Sequence, residues 1–294
     1  MYEFLILNGL VNGIIIGVLY SLIGCSLNVL YGVLRVVNFA HGEFLIVGSF
    51  FGYVLFRELG INPLISVPLA AASFFIVGYG LYYLLLPRLA KADDPETASF
   101  LLMYGVSLML GAGMLMIFEA DTRTIDFRFQ PMSIHIGMLY ISTARLVAFA
   151  VNLVVVALLT WFLYFTLYGK ALRAAIMNRE AIQIVGVNIH RLSAVAFGIA
   201  AGLAGITGVM IALVFPAFDP FSGPEYTLIG FIVIVLGGLG HPIGAIVGGV
   251  IYGLTEQMAT VFLPQAMAPI VGFSILILVI FLRPRGLFGK MQSR

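Results

Sequence analysis

The chain has 294 residues, 62% hydrophobic and only 10% charged, with a net charge of +2 and a single cysteine. Soluble domains carry roughly 25% charged residues, so this composition excludes a soluble fold of such length. The near-neutral balance, with no basic stripe interleaved with aromatics, excludes nucleic acid as a partner. The lone thiol of Cys25 excludes an internal disulfide.

The first apolar run, residues 4–31, has no Lys or Arg ahead of it and is longer than the ~7–15 residues of a signal-peptide core, so it reads as the first membrane span. Further spans are expected at residues 38–56, 63–86, 98–118, 145–168 and 192–215. Residues 226–263 follow with one charge, Glu256, and would make a straight helix of about 57 Å. The hydrocarbon core is only ~30 Å thick. The run Gly237-Gly238-Leu239-Gly240-His241-Pro242 is therefore expected to break it into a short first half and a spanning second half. A last span is expected at 266–282.

Charge placement supports that break. If the stretch turns back, eleven of the fifteen Lys and Arg fall on the cytoplasmic side, leaving Arg57, Arg123, Arg128 and Arg145 outside. A single crossing would spread them almost evenly, which the positive-inside rule disfavours. The expected fold class is all-α: a polytopic transmembrane helix bundle of about 8–9 membrane segments in one domain over residues 1–294, with an external N-terminus and an internal C-terminus.

Small residues recur four apart at Gly9, Gly13 and Gly17, at Gly198 and Gly202 with Gly205 after them, and at Gly244, Gly248, Gly249 and Gly253. In lipid, such ladders let helix backbones approach closely. Residues 123–129 alternate polar and apolar, and 134–141 also look extended, which together predict a small external β-hairpin over 123–141. The loop at 169–193 reads as a helix from Lys170 to Val185, ended by Gly186.

Chemistry-bearing motifs are sparse. Gly169-Lys170 and Gly289-Lys290 lack the Ser or Thr that follows a P-loop lysine, and no triad, zinc spacing or haem-ligating histidine pair is present. No catalytic residue, metal or cofactor is expected. Two segments carry the candidate function. Asn38, His41 and Glu43 lie at the head of the second span, where polar groups either cap a helix at the interface or line a pathway. In the 169–193 loop, Leu172, Ala175, Ile176, Ile182 and Val185 fall near one helical stripe, flanked by Arg173, Arg179 and Glu180. That loop is either an ordinary basic connector or a docking helix for a soluble partner, and it exceeds the ~2–8 residues a connector needs.

NGLVNGIIIGVLYSLIGCSLNVLYGVLRVVNFAHGEF at 8–44, GKALRAAIMNREAIQIVGVNIHRL at 169–192, VLGGLGHPIGAIVGGVIYGLTE at 235–256 and RPRGLFG at 283–289 together resemble the branched-chain amino acid permease family of ABC importers, whose members also move urea, amides and other amino acids. The resemblance runs along nearly the whole chain. It implies a type II importer fold, a second related permease subunit, two ATP-binding cassette subunits, an extracytoplasmic substrate-binding protein and a place among the lipids of a bacterial inner membrane. It makes Asn38, His41 and Glu43 pathway candidates. It also makes 169–193 the coupling loop, with Leu172, Arg173, Ala175, Arg179, Glu180 and Gly186 as contacts to the ATPase. Ile176-Met177-Asn178-Arg179 stands where a more acidic segment is expected. The alternatives from the residues alone are a self-sufficient secondary transporter, for which only Glu43 and Glu256 supply intramembrane charge, and a redox-complex subunit, whose chain of buried ionisable groups is missing.

Overall fold

The first helix, α1 (Tyr2–Leu34), is the axis of the bundle in the computed structural model, which describes residues 2–89, 93–127, 129, 132–136 and 139–289. Its glycine ladder faces α10 (Pro242–Phe262). A Cβ on Gly13 would lie 2.8 Å from Leu254 Cα, and one on Gly17 2.8 Å from Val250 Cα, so only glycine allows the backbones this close. Gly9 meets Val261 while Gly17 meets Val250, so the two helices run antiparallel.

The second ladder packs α8 (Ile189–Val214) against α3 (Pro63–Leu89): Gly198 and Gly202 face Phe75 and Ala71, and Gly205 faces Phe74, again antiparallel. On its other side α8 runs parallel to α2 (His41–Leu59), with Gly48 against Gly205 and Gly52 against Val209. The outer helices α4 (Pro95–Phe118), α5 (Thr143–Phe165) and α11 (Ala268–Leu282) present Met109, Leu158 and Phe281 outward. Such apolar exteriors suit lipid, where no hydrophobic drive hides them. Among the described residues, seven helices are long and apolar enough to cross a membrane. Charges thin the apolar run of α2, and α9 (Gly223–Gly237) is short.

The over-long stretch does turn back. Gly238 and Gly240 take φ of 105° and 75°, values that favour glycine. Asn28 of α1 holds the turn by donating to the carbonyls of Gly238 (3.3 Å) and His241 (3.1 Å). A Cβ on Gly248 would meet Val233 O at 2.5 Å, and Gly244 lies against Gly237, so α9 and α10 are antiparallel. The tail then returns to the same end as the turn, where Leu287 N donates to Leu236 O.

Following these directions puts Arg35, Arg88, Lys170, Arg173, Arg179, Arg191, Arg283 and Arg285 at one end, the basic end, and Arg57, Arg123 and Arg145 at the other. Lys91, Arg128, Lys290 and Arg294 lie outside the described residues.

The hairpin forms, but not from the expected strands. Both strands come from the second run: β1 (Ser133–Ile136) pairs antiparallel with β2 (Leu139–Ser142), with Ile134 opposite Ile141. The alternating run beginning at Arg123 is irregular apart from one bridge, Arg123 to Phe218. Its apolar residues were needed elsewhere: Ile125 is buried in the core, and Phe127 packs edge-on against both Phe56 and Phe129. The hairpin sits over the start of α1, where Tyr140 N donates to Asn8 Oδ1 (3.4 Å).

The single helix expected from Lys170 to Val185 is two helices, α6 (Leu167–Met177) and α7 (Arg179–Ile184). Asn178 breaks it: its Oδ1 accepts from the amides of Glu180 (3.0 Å) and Ala181 (2.9 Å), capping α7 at φ −153°. Gly186 follows with φ 85°.

Candidate functional site

Arg35 ends α1 in the left-handed region, at φ 53°, and the chain doubles back along the bundle. Val36, Asn38 and Ala40 are buried as it does so. Asn38 Oδ1 accepts from Ala40 N (3.0 Å), a local turn that satisfies both groups without a neighbouring strand or helix. α2 then begins at His41, whose ring lies 2.8 Å from Ser26 Oγ. Ser26 is eight residues before the end of α1, so His41 sits about 12 Å below that end. The Ser26 hydroxyl donates to Ile23 O (2.7 Å), which assigns the donor role in the other contact to His41 Nε2–H.

Here α2 meets α9, and the two helices meet by their N-termini. Gly42 N donates to Thr227 Oγ1 (2.8 Å), and that hydroxyl donates to Phe39 O (3.2 Å). Gly42 presses on Gly223 O, so no side chain fits at position 42. Each helix N-terminus carries roughly half a positive charge. Glu43 brings a carboxylate to the junction: it is buried, a Cβ on Gly223 would lie 3.0 Å from its Cδ, and Ser107 of α4 lies beside it. Its Oε2 has no partner among the described residues. Phe39 closes the junction, edge-on to Phe100 (4.7 Å) and tilted against Phe231 (5.2 Å).

The structure thus brings Asn38, His41 and Glu43 together in the bundle interior, not at an interface-exposed helix cap. It adds Ser26, Ser107, Gly223 and Thr227, which sequence reasoning missed. Small polar residues in apolar runs were their only signal, and the Gly42–Thr227 pairing spans 185 positions. The other intramembrane carboxylate, Glu256, is elsewhere: its Oε2 accepts from Tyr20 Oη (2.8 Å), beside the ring of Tyr252.

The second candidate segment lies at the basic end. Leu172, Ala175 and Ile182 are buried in this chain's own core, and Ile176 packs on Gly32 and Gly240. Most of the apolar stripe therefore fastens α6 and α7 to the bundle rather than facing out. Val185 is the exception: it points away with Met177 and Ile184, at 75%, 78% and 86% exposure. Arg179, Glu180 and Gly186 are also exposed. Arg173 lies across the bundle end, its guanidinium 4.1 Å over the Tyr164 ring and its Nε donating to Leu163 O (2.9 Å).

Residues 9–281 match the model of a family described as branched-chain amino acid transport system / permease component. The chain belongs to this permease family. It is 28% identical to the high-affinity branched-chain amino acid transport system permease protein BraD of Pseudomonas aeruginosa, covering 97% of this chain and 96% of the relative. It is 28% identical to the probable branched-chain amino acid transport permease protein LivH of Methanocaldococcus jannaschii, covering 98% and 93%. A more distant match, LivM of Salmonella typhimurium, is 23% identical over all of this chain and 73% of that protein. No solved structure matches. As a permease of this family with seven long apolar helices among the described residues, it is a multi-pass membrane protein.

Proposed function

We propose that this chain is a single-domain permease subunit of an ABC importer in a bacterial inner membrane, forming half of a pathway for branched-chain or related amino acids. A second, related permease completes the pathway. Two ATP-binding cassette subunits dock at the basic, cytoplasmic end, and a binding protein delivers substrate at the hairpin end. The chain itself catalyses nothing; ATP is hydrolysed by its partners.

The observation that carries this reading is the head-to-head junction of α2 and α9 within an apolar bundle. Interrupted helices whose N-termini point into the interior are where transporters hold polar substrates near the membrane midplane. Asn38, His41 and Glu43 supply the polar groups there. A buried carboxylate oxygen without a partner is expensive in hydrocarbon unless something polar visits it. The exposed apolar residues Ile184 and Val185, beside Arg179 and Glu180, form the surface a soluble motor would grip, and the buried side of α6 passes its movement to α1. Of the six coupling candidates, Leu172 and Ala175 act through this internal packing.

The test is reconstitution of the chain with its partner subunits in vesicles and measurement of ATP-dependent uptake of leucine, isoleucine and valine against urea and simple amides. Uptake of branched-chain amino acids that stops without ATP is expected. Uptake driven by an ion gradient alone would make the chain a secondary transporter, and uptake of urea in preference would move it to another substrate class.

A further inference from the structure

We propose that the basic end of the bundle carries a binding site for the phosphate group of an anionic phospholipid, built from Arg35, Arg173 and His241. The three line one cavity of about 400 Å³ between the end of α1, α6 and the α9–α10 turn. Among the described residues no Asp or Glu lines it. Among the described residues neither arginine pairs with a carboxylate, so two guanidiniums share a space with no counter-charge.

Each group is set for an anion. Arg173 is already fixed by the Tyr164 ring and the Leu163 carbonyl, and those contacts use its Nε, leaving the terminal N–H groups as a rigid fork. His241 Nδ1 accepts from Gly244 N (3.0 Å) to cap α10, which places its proton on Nε2 as a further donor. Arg35 occupies a left-handed position, φ 53°, that glycine would fill without cost. The negative end of α1 favours a cation nearby, but any of the preceding residues could supply it without strain. A strained arginine at the mouth of a cavity whose described lining holds no acidic side chain points to a ligand.

The surroundings select a lipid over a free ion. The cavity opens at the basic end of an apolar bundle, and its rim carries Met177 and Leu239, exposed at 78% and 50%. Apolar side chains around a basic pocket suit an acyl chain below a phosphate; basic pockets between helices on the cytoplasmic side bind acidic lipids in this way. Resting on the permease reading for its consequence only, such a lipid would bridge α1, α6 and the α9–α10 turn and so stiffen the segment that passes force to the pathway.

The full chain in detergent, titrated with phosphatidylglycerol, phosphatidylcholine or inorganic phosphate and followed by native mass spectrometry, tests the site. Phosphatidylglycerol should bind in preference to phosphatidylcholine and should survive millimolar inorganic phosphate. Arg35→Gly relieves the strained turn, so its thermal unfolding should match or exceed wild type while its phosphatidylglycerol affinity falls about five- to tenfold. Arg173→Gln should show a similar loss. Equal binding of the two lipids, unchanged affinity in a folded Arg35→Gly chain, or displacement of the lipid by inorganic phosphate would each overturn the proposal, the last by making the site one for a soluble anion. Uptake plays no part in these readouts, so a failed importer assignment and a failed lipid site are told apart.

Discussion

The seam between α1 and α10 and the junction between α2 and α9 lie in the same bundle and are built on opposite rules. The seam is glycine against backbone: Gly13 on Leu254, Gly17 on Val250, with Ser21 Oγ donating to Ile246 O (2.7 Å) as its polar tie. Close approach and dispersion hold it, as in any lipid-embedded helix pair. The junction also needs glycines, at 42 and 223, but surrounds them with Asn38, His41, Glu43, Thr227 and Ser26 and, among the described residues, leaves one carboxylate oxygen unmatched. A bundle that had only to hold together would have no use for a carboxylate at the meeting point of two helix heads. The contrast separates scaffold from proposed pathway, and it can be broken by experiment.

The largest effect should come from the seam. Gly17→Leu forces a branched side chain where a Cβ alone would lie 2.8 Å from Val250 Cα, and the helices must separate. A loss of about 3 kcal/mol or more is expected, read as aggregation or a collapsed thermal transition in detergent. A stable, well-dispersed Gly17→Leu chain would mean that the seam is not what holds α10 in place.

Next in size is the junction. His41→Leu keeps apolar volume but removes the donor to Ser26 Oγ, and Glu43→Gln keeps shape but removes charge between the two helix N-termini. Both should leave the assembled complex purifiable and lower the uptake rate by roughly tenfold, the equivalent of about 1.4 kcal/mol. Wild-type uptake in both variants would reduce the cluster to a structural plug. Loss of assembly in both would put the junction with the seam, as scaffold.

The two regions also differ in how legible they were. The two faces of the seam, though not their pairing, could be read from the sequence because close helix packing in lipid has a period: glycines four apart, twice, on helices each long enough to span. The break at Gly238–His241 was legible because a helix of its uninterrupted length does not fit a bilayer, and because basic residues must gather on one side. The junction was legible only on its α2 side, where ionisable residues stand out in an apolar run. Its α9 side consists of Gly223 and Thr227, ordinary residues whose role comes from a position 185 residues away in sequence. The strand misplaced at 123–129 failed for a related reason. Alternation predicts a half-buried strand, but Ile125 and Phe127 point into the end of the bundle, a tertiary destination that a local pattern does not encode.

The buried and exposed sides of the α6–α7 segment allow a smaller, sharper comparison. Ala175→Glu would place a charge in this chain's own core, since Ala175 is 4% exposed, and should destabilise α6 before any partner is involved. Ile184→Asp changes a residue that is 86% exposed and should leave the isolated permease unaltered. Co-purification of the ATPase subunits should fall with Ile184→Asp by about tenfold, in the range of a hot-spot loss of ~1–2 kcal/mol. Full retention of the ATPase by Ile184→Asp would move the contact to the Leu239 turn, another exposed apolar point at the basic end.

The smallest effect is expected at Asn178, the residue that makes two helices of one. Its side chain caps α7 through the amides of Glu180 and Ala181, and α7 is only six residues long. A helix that short has no stability of its own, so the cap and the burial of Ile182 must hold it. Asn178→Ala removes the first and keeps the second, at a cost of about 1 kcal/mol. If α7 frays, amide exchange at 180 and 181 should speed up about fivefold while α6, fastened by Leu172 and Ala175, is unchanged. The alternative is fusion. Alanine is the best helix former, and α6 and α7 would then join into the continuous helix that the local sequence favours. Exchange at 180 and 181 would stay slow, but Ile184 would turn away from its present direction, and ATPase retention would fall instead. The break at Asn178 therefore sets where the exposed end of the segment points, and exchange measured beside co-purification shows whether the cap stabilises that end or only aims it.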